Sequence, residues 1–174
     1  MRFSIMFLVP CLAAATLSAQ TANPVVSSAQ ELVTRQAGFM TAAAEEMPAD
    51  KYSFKPTPEQ FSFGKIIAHV AMANDHVCGM LTSAAAPQTA PVTETSPKDA
   101  LITALKASFD YCDTALGSLH DSQLGDTITF FGGAKKPRAR ALIELSADLA
   151  DHYSQMAMYL RLNGMLPPSA KPRK

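Results

Sequence analysis

A chain of 174 residues with 15 basic and 15 acidic side chains carries no net charge, so nothing draws it in general towards nucleic acid or an anionic membrane surface. It has no tryptophan and nine methionines, and 48% of its residues are hydrophobic. That composition suits a single domain of helices packed on helices.

The N-terminus reads as an export signal. Arg2 supplies a positive start, Phe3 through Leu17 form an apolar run, and the small residues Ser18 and Ala19 close it, which is the layout of a secretory signal peptide cut after Ala19. The run is shorter than the roughly 20 apolar residues a spanning helix needs, and Pro10 interrupts it, so no stable membrane anchor is expected. Pro10 also stands before Cys11 where a lipoprotein site wants a small residue. The expected division is 1–19 signal peptide, 20–166 helical domain and 167–174 disordered tail, with the mature chain periplasmic or extracellular.

Without the signal, two of the three cysteines remain, Cys78 and Cys112. An even pair in an exported chain tends to oxidise, so one disulfide between the second and third helices is expected, the alternative being two small buried thiols.

Four segments carry helical periodicity. In the first, Ser28 and Glu31 have capping-box spacing, Val33, Ala37, Met40, Ala44 and Met47 share a face, and Pro48 ends the run. From Ala49 to Phe61 the chain holds Pro56 and Pro58 and reads as an extended connection. A second helix starts near Ser62 with the stripe Ile66, Val70, Ala73, Val77 and Leu81, followed by a Pro- and Thr-rich surface loop. Ser96 and Pro97 open a third, with Asp99 in its first turn and Leu101, Leu105, Phe109, Cys112 and Leu116 inside. The stretch Gly125 to Lys136 is β-prone around Thr127–Phe131, is broken by Gly132-Gly133, and reads as a structured loop or short strand fragment. The fourth helix runs from near Pro137 to Asn163, with Gly164 placed for a left-handed cap and Pro167-Pro168 as a stop. These elements make an all-α four-helix bundle; their pattern does not fix its topology or whether it forms a homodimer.

Few polar residues interrupt the apolar faces. Leu145, Leu149, His152 and Met156 form one narrow stripe of the fourth helix, and Asp148 projects one turn before His152. His69 lies on the shoulder of the second helix's stripe, with His76 two turns later. A His from one helix and a His/carboxylate pair from another can form a three-ligand metal site with open positions. The alternative is a set of histidines satisfied by neighbouring acids or carbonyls. Lys135, Lys136, Arg138 and Arg140 cluster at the start of the fourth helix, where they either meet an anionic substrate or form a solvated end. His120 sits beside Asp121 at a helix end and reads as solvent-exposed.

Two segments carry a family resemblance. Residues 51–81, KYSFKPTPEQFSFGKIIAHVAMANDHVCGML, resemble the Lys-Tyr, Pro-x-Pro and second-helix His of DinB-like (DinB/YfiT) proteins. Residues 146–169, SADLADHYSQMAMYLRLNGMLPPS, resemble the family's last helix, where His-x-x-x-His-x-x-Gln precedes Tyr-Leu-Arg, Asn-Gly and Pro-Pro. The resemblance spans nearly the whole mature chain. It implies a four-helix bundle whose single His on the second helix and two on the last hold a divalent metal, often zinc or nickel. His69 and His152 match two of these positions, while the middle one is Asp148. A two-His, one-carboxylate set also suits manganese or iron(II). Gln155 matches the family Gln and, with His76, is a candidate for contacts just outside the ligands; Tyr159 and Arg161 match Tyr-Leu-Arg, with Arg161 expected to clamp a carbonyl or carboxylate. The resemblance implies a metal-dependent hydrolase or thiol-dependent transferase acting on a small molecule. The competing expectation is a non-catalytic envelope or stress-related binding module with a metal-free pocket, its partner surface formed by the basic cluster and the Phe130-Phe131 loop.

Overall fold

The computed structural model describes residues 23–82, 84–88 and 90–172, so the expected signal segment lies outside it. Four helices make up the body: α1 (Pro24–Glu46), α2 (Phe63–Leu81), α3 (Lys98–Gly117) and α4 (Arg138–Leu162). The principal contacts pair α2 with α3 and α4, and α1 with α3 and α4. Sequence neighbours α1 and α2 therefore lie diagonally across the bundle, as do α3 and α4. Among the described residues no helix is long and apolar enough to cross a membrane.

The inner faces are those the periodicity predicts. Val33, Met40, Ala44 and Met47 of the first segment are buried, as are Leu101, Leu105, Phe109, Cys112 and Leu116 of α3 and Leu145, Leu149, His152 and Met156 of α4. Helix α2 exceeds its expected stripe: besides Ile66, Val70, Val77 and Leu81, it buries Phe63, Ile67, Ala71, Asn74 and Cys78. Its Ala73 is half-buried. Cys78 and Cys112 are joined in a disulfide, with a Cα–Cα distance of 5.2 Å, that fixes α2 to α3. Beside it, Asn74 Nδ2 donates to Ser108 Oγ at 3.1 Å.

The helix starts correct part of the sequence reading. Helix α1 begins at Pro24, not near Ser28, whose Oγ donates to the Pro24 carbonyl. Its free first-turn amides are capped from afar: Val25 and Val26 N–H donate to the carboxylate of Asp121 at 2.9 and 2.8 Å. Ser62 caps α2 as expected, accepting from Lys65 N–H. Helix α3 starts at Lys98, one residue beyond Pro97. The stretch 125–136 resolves into two short antiparallel strands, β1 (Thr127–Thr129) and β2 (Lys135–Pro137), with Ile128 opposite Lys136. Gly132 and Gly133 turn the chain between them at φ of 66° and 80°, where a side chain is unfavourable.

The 47–62 connection is folded rather than merely extended. Tyr52 Oη donates to Ala44 O at 2.6 Å, Gly64 N–H donates to Tyr52 O at 2.8 Å, and Tyr159 Oη donates to Phe61 O at 2.8 Å. Backbones approach so closely that a Cβ on Gly64 would lie 2.9 Å from Glu94 O and 3.3 Å from Tyr52 O. Neither atom can rotate aside. Gly64→Ala is therefore expected to lower the unfolding free energy by about 1–3 kcal/mol, as overpacking does; a denaturant midpoint equal to that of the parent would show that the approach is looser than described.

The segment expected as a disordered tail is ordered through Pro172. Pro168–Ala170 form a 3-10 turn, Ser169 N–H donates to Tyr153 Oη at 2.9 Å, and Lys171 pairs with Glu46 at 2.6 Å.

Candidate metal centre

Helices α2 and α4 present His69 and the Asp148/His152 pair to one another. The i, i+4 spacing puts Asp148 and His152 one above the other on α4, and burial of Leu145, Leu149 and Met156 fixes which way that stripe faces. His152 Nε2 lies 3.3 Å from Asp148 Oδ1, His69 Nε2 lies 3.9 Å from the same oxygen, and the imidazole centroids are 4.7 Å apart. One ligand atom from each residue falls within 4.8 Å of both others. A tetrahedral ion with bonds of 2.0–2.1 Å holds adjacent ligand atoms roughly 3.3 Å apart. The Asp148–His152 edge is already at that separation, the His69–Asp148 edge is longer by about 0.6 Å and the His69–His152 edge is within 4.8 Å, so the three donors could close around a divalent ion.

The group is graded from inside to outside. His152 is 7% exposed, while the His69 and Asp148 side chains are 30% and 26% exposed, so the site opens to solvent on one side. Phe61 borders it, with its ring centroid 5.9 Å from that of His69 and Lys65 Nζ 5.8 Å above its face. Burial lowers the pKa of His69, assisted by His152 and Lys65 and opposed by Asp148. Burial pushes His152 down as well, but the hydrogen bond and charge of Asp148, with lesser help from Asp151 and Gln155, outweigh it and raise its pKa. His152 Nδ1 is buried with no hydrogen-bond partner among the described residues.

These shifts set a pH dependence. A cation must displace the proton from His152 Nε2, so affinity falls as pH drops through the raised pKa of that ring. The fall is expected to begin above the ordinary imidazole value of about 6.5 and to approach tenfold per pH unit. Without metal the sign is opposite: the His152–Asp148 pair stabilises the fold at acidic pH, and that contribution is lost as pH rises through the folded pKa of His152. Zinc titrations between about pH 5 and 8, with melts of the metal-free protein alongside, check both slopes. An affinity independent of pH would exclude His152 as a ligand.

Other predicted residues fall outside the cluster. His76 is exposed, its ring stacked on Phe131 at 5.2 Å, and does not reach the cluster. Gln155 is one turn from His152 and favours its charged ring, but its amide nitrogen donates to Asp151 at 2.9 Å. Arg161, expected to clamp a carbonyl, is exposed at the end of α4. The basic residues are held locally: Lys135 donates to Thr129 Oγ1, Arg138 Nη1 donates to Leu81 O at 2.8 Å and faces Asp126, and Arg140 pairs with Glu144 beneath Phe130. His120 is exposed, 3.1 Å from Asn23 Nδ2. Asp75, on the helical stripe that holds Lys65 and His69, has a buried Oδ1 with no partner among the described residues, a feature the sequence pattern does not signal.

Residues 33–156 match the family model of the DinB superfamily. The chain belongs to the DinB superfamily. Solved structures share the fold. A DinB-like protein from Bacillus cereus superposes with a TM-score of 0.69 at 17% identity, over 82% of this chain and 95% of that one. Another from Bacillus subtilis gives 0.66 at 21%, over 87% and 100%. The mycothiol-dependent maleylpyruvate isomerase gives 0.61 at 16%, over 75% of this DinB chain and 60% of the isomerase. No curated protein matches the sequence.

Proposed function

We propose that this DinB protein is an exported metal-dependent enzyme of hydrolytic type, with His69, Asp148 and His152 as its metal ligands. The observation that carries the reading is the convergence of the three donors from α2 and α4, with one edge at ligand–ligand distance and one side open. Zinc and nickel are the first candidates, and the two-His, one-carboxylate set also admits manganese or iron(II). Bound there, such an ion supplies Lewis acidity and lowers the pKa of a water or thiol.

The chain's own residues divide the remaining work. His152 is locked by packing and by Asp148, so it sets the position of the centre. His69, held neutral by burial, keeps its lone pair available at neutral pH. Lys65, close enough to His69 to lower its pKa, draws anionic groups to the open side.

Export supports hydrolysis over thiol transfer, because reduced low-molecular-weight thiols are scarce in an oxidising compartment, and the Cys78–Cys112 disulfide is consistent with such a compartment. The test is turnover of amide and ester substrates by zinc-loaded protein with and without added low-molecular-weight thiol. Turnover without thiol, lost on chelation and in His152→Ala, is the expected result; turnover that requires the thiol would reverse the assignment.

A further inference from the structure

Beside the metal centre, a cavity of about 340 Å³ lies between α2 and the loop that follows it. One wall is a stripe of α2, with Lys65, His69, Met72 and Asp75 at three- and four-residue spacing; the facing wall is apolar, with Pro91 and Val92 in its middle. His69 therefore belongs to both features: its Nε2 faces Asp148 while its ring lines the cavity. The polar groups along this cavity differ in charge from end to end. Lys65 stands at one end. At the other end Asp75 lines the cavity; its Oδ1 is shielded from solvent without a hydrogen-bond partner among the described residues, so its other oxygen is the one that can meet a ligand. The neighbouring phenol does not supply a partner, since Tyr111 Oη donates to Ala84 O at 2.7 Å. Burial raises the pKa of Asp75, and burial followed by the charge of Asp75 raises that of Tyr111. A half-buried carboxylate without a partner gains a charged hydrogen bond when a donor arrives.

Helical rise separates Lys65 and Asp75 by roughly 15 Å along α2, with His69 about 6 Å from the lysine end. An extended chain of four to five residues spans such a length at about 3.3 Å per residue. We propose that this cleft binds a short zwitterionic peptide, its carboxylate at Lys65, its ammonium on Asp75 and an aliphatic side chain against Met72 and Val92. The second peptide bond from the C-terminus then faces His69. The position of that reacting bond, but not the binding, rests on the metal-centre reading. Hydrolysis there adds water across the C–N bond: the carbonyl carbon gains the oxygen, and the amide nitrogen takes a proton and leaves as the amine of the last two residues.

Calorimetric titration with the tetrapeptide Ala-Ala-Leu-Ala, on zinc-free and zinc-loaded full-length protein, tests the proposal. The free tetrapeptide is expected to bind both forms. N-acetylation is expected to weaken binding at least about tenfold, the loss of one charged hydrogen-bonded contact, and Asp75→Asn to remove that difference. C-amidation behaves likewise, with Lys65→Met removing its difference. No binding by either form, or affinities indifferent to blocking the termini, would overturn the cleft. Binding to zinc-free protein without zinc uptake would leave the cleft standing and remove only the metal centre. Zinc uptake without peptide binding would do the reverse.

Discussion

Serine at both Cys78 and Cys112 is expected to lower the free energy of unfolding by about 4 kcal/mol. The bridge spans a sequence separation of 34 residues. Closing a loop of that length in the unfolded chain removes entropy equivalent to about 4 kcal/mol at 25 °C, within the usual range for native disulfides. Both sulfurs sit in the α2–α3 interface, where Cys78 and Cys112 are fully buried, so two serine hydroxyls there add a desolvation penalty. Reduction of the parent chain with its thiols retained separates these contributions, since it opens the loop without changing the side chains. Denaturant unfolding of oxidised, reduced and double-serine protein gives the comparison. If oxidised and reduced forms share a midpoint, the covalent link does not stabilise the bundle, and helix packing alone holds α2 against α3.

His152→Ala is expected to weaken zinc binding by more than roughly 100-fold, since changes merely in groups that orient ligands already cost 10–100-fold. Asp148→Ala should have a comparable effect, because its carboxylate oxygen is the atom both imidazoles approach, at 3.3 and 3.9 Å. Asp148→His gives the three-imidazole set that the sequence resemblance implies, at unchanged helical spacing, and should keep the metal. Asp148→Asn retains the shape and loses the charge; it should weaken zinc and also lower the pKa of His152, since Asp148 is the main influence raising it. Zinc affinity unchanged in Asp148→Ala would make Asp148 an orienting partner of His152 rather than a ligand.

The four helices were legible because burial imposes a 3.6-residue period that composition can express. Their starts were less so. Ser28 and Glu31 have the spacing of a capping box, yet α1 is capped by Asp121, 95 and 96 residues from the amides it accepts, and no local pattern announces a cap of that separation. The same limit applies to the centre. Asp148 and His152 share a face by spacing alone, but their meeting with His69 depends on α2 packing against α4; spacing left that meeting as one of two alternatives, and the family resemblance favoured it. His76 shares a shoulder with His69 but lies two turns on, where it is exposed and stacks on Phe131 of the hairpin instead. The tail reads as disordered from its prolines and lysines, yet Tyr153 and Glu46, from α4 and α1, hold it in place.

Metal content by plasma mass spectrometry of the parent protein, beside His69→Ala and His152→Ala, tests the central claim most directly. A metal centre at these residues gives close to one equivalent of a divalent metal in the parent and its loss from both variants. A parent that takes up no metal even after reconstitution, or variants that retain it, would contradict the assignment of His69, Asp148 and His152 as a metal centre.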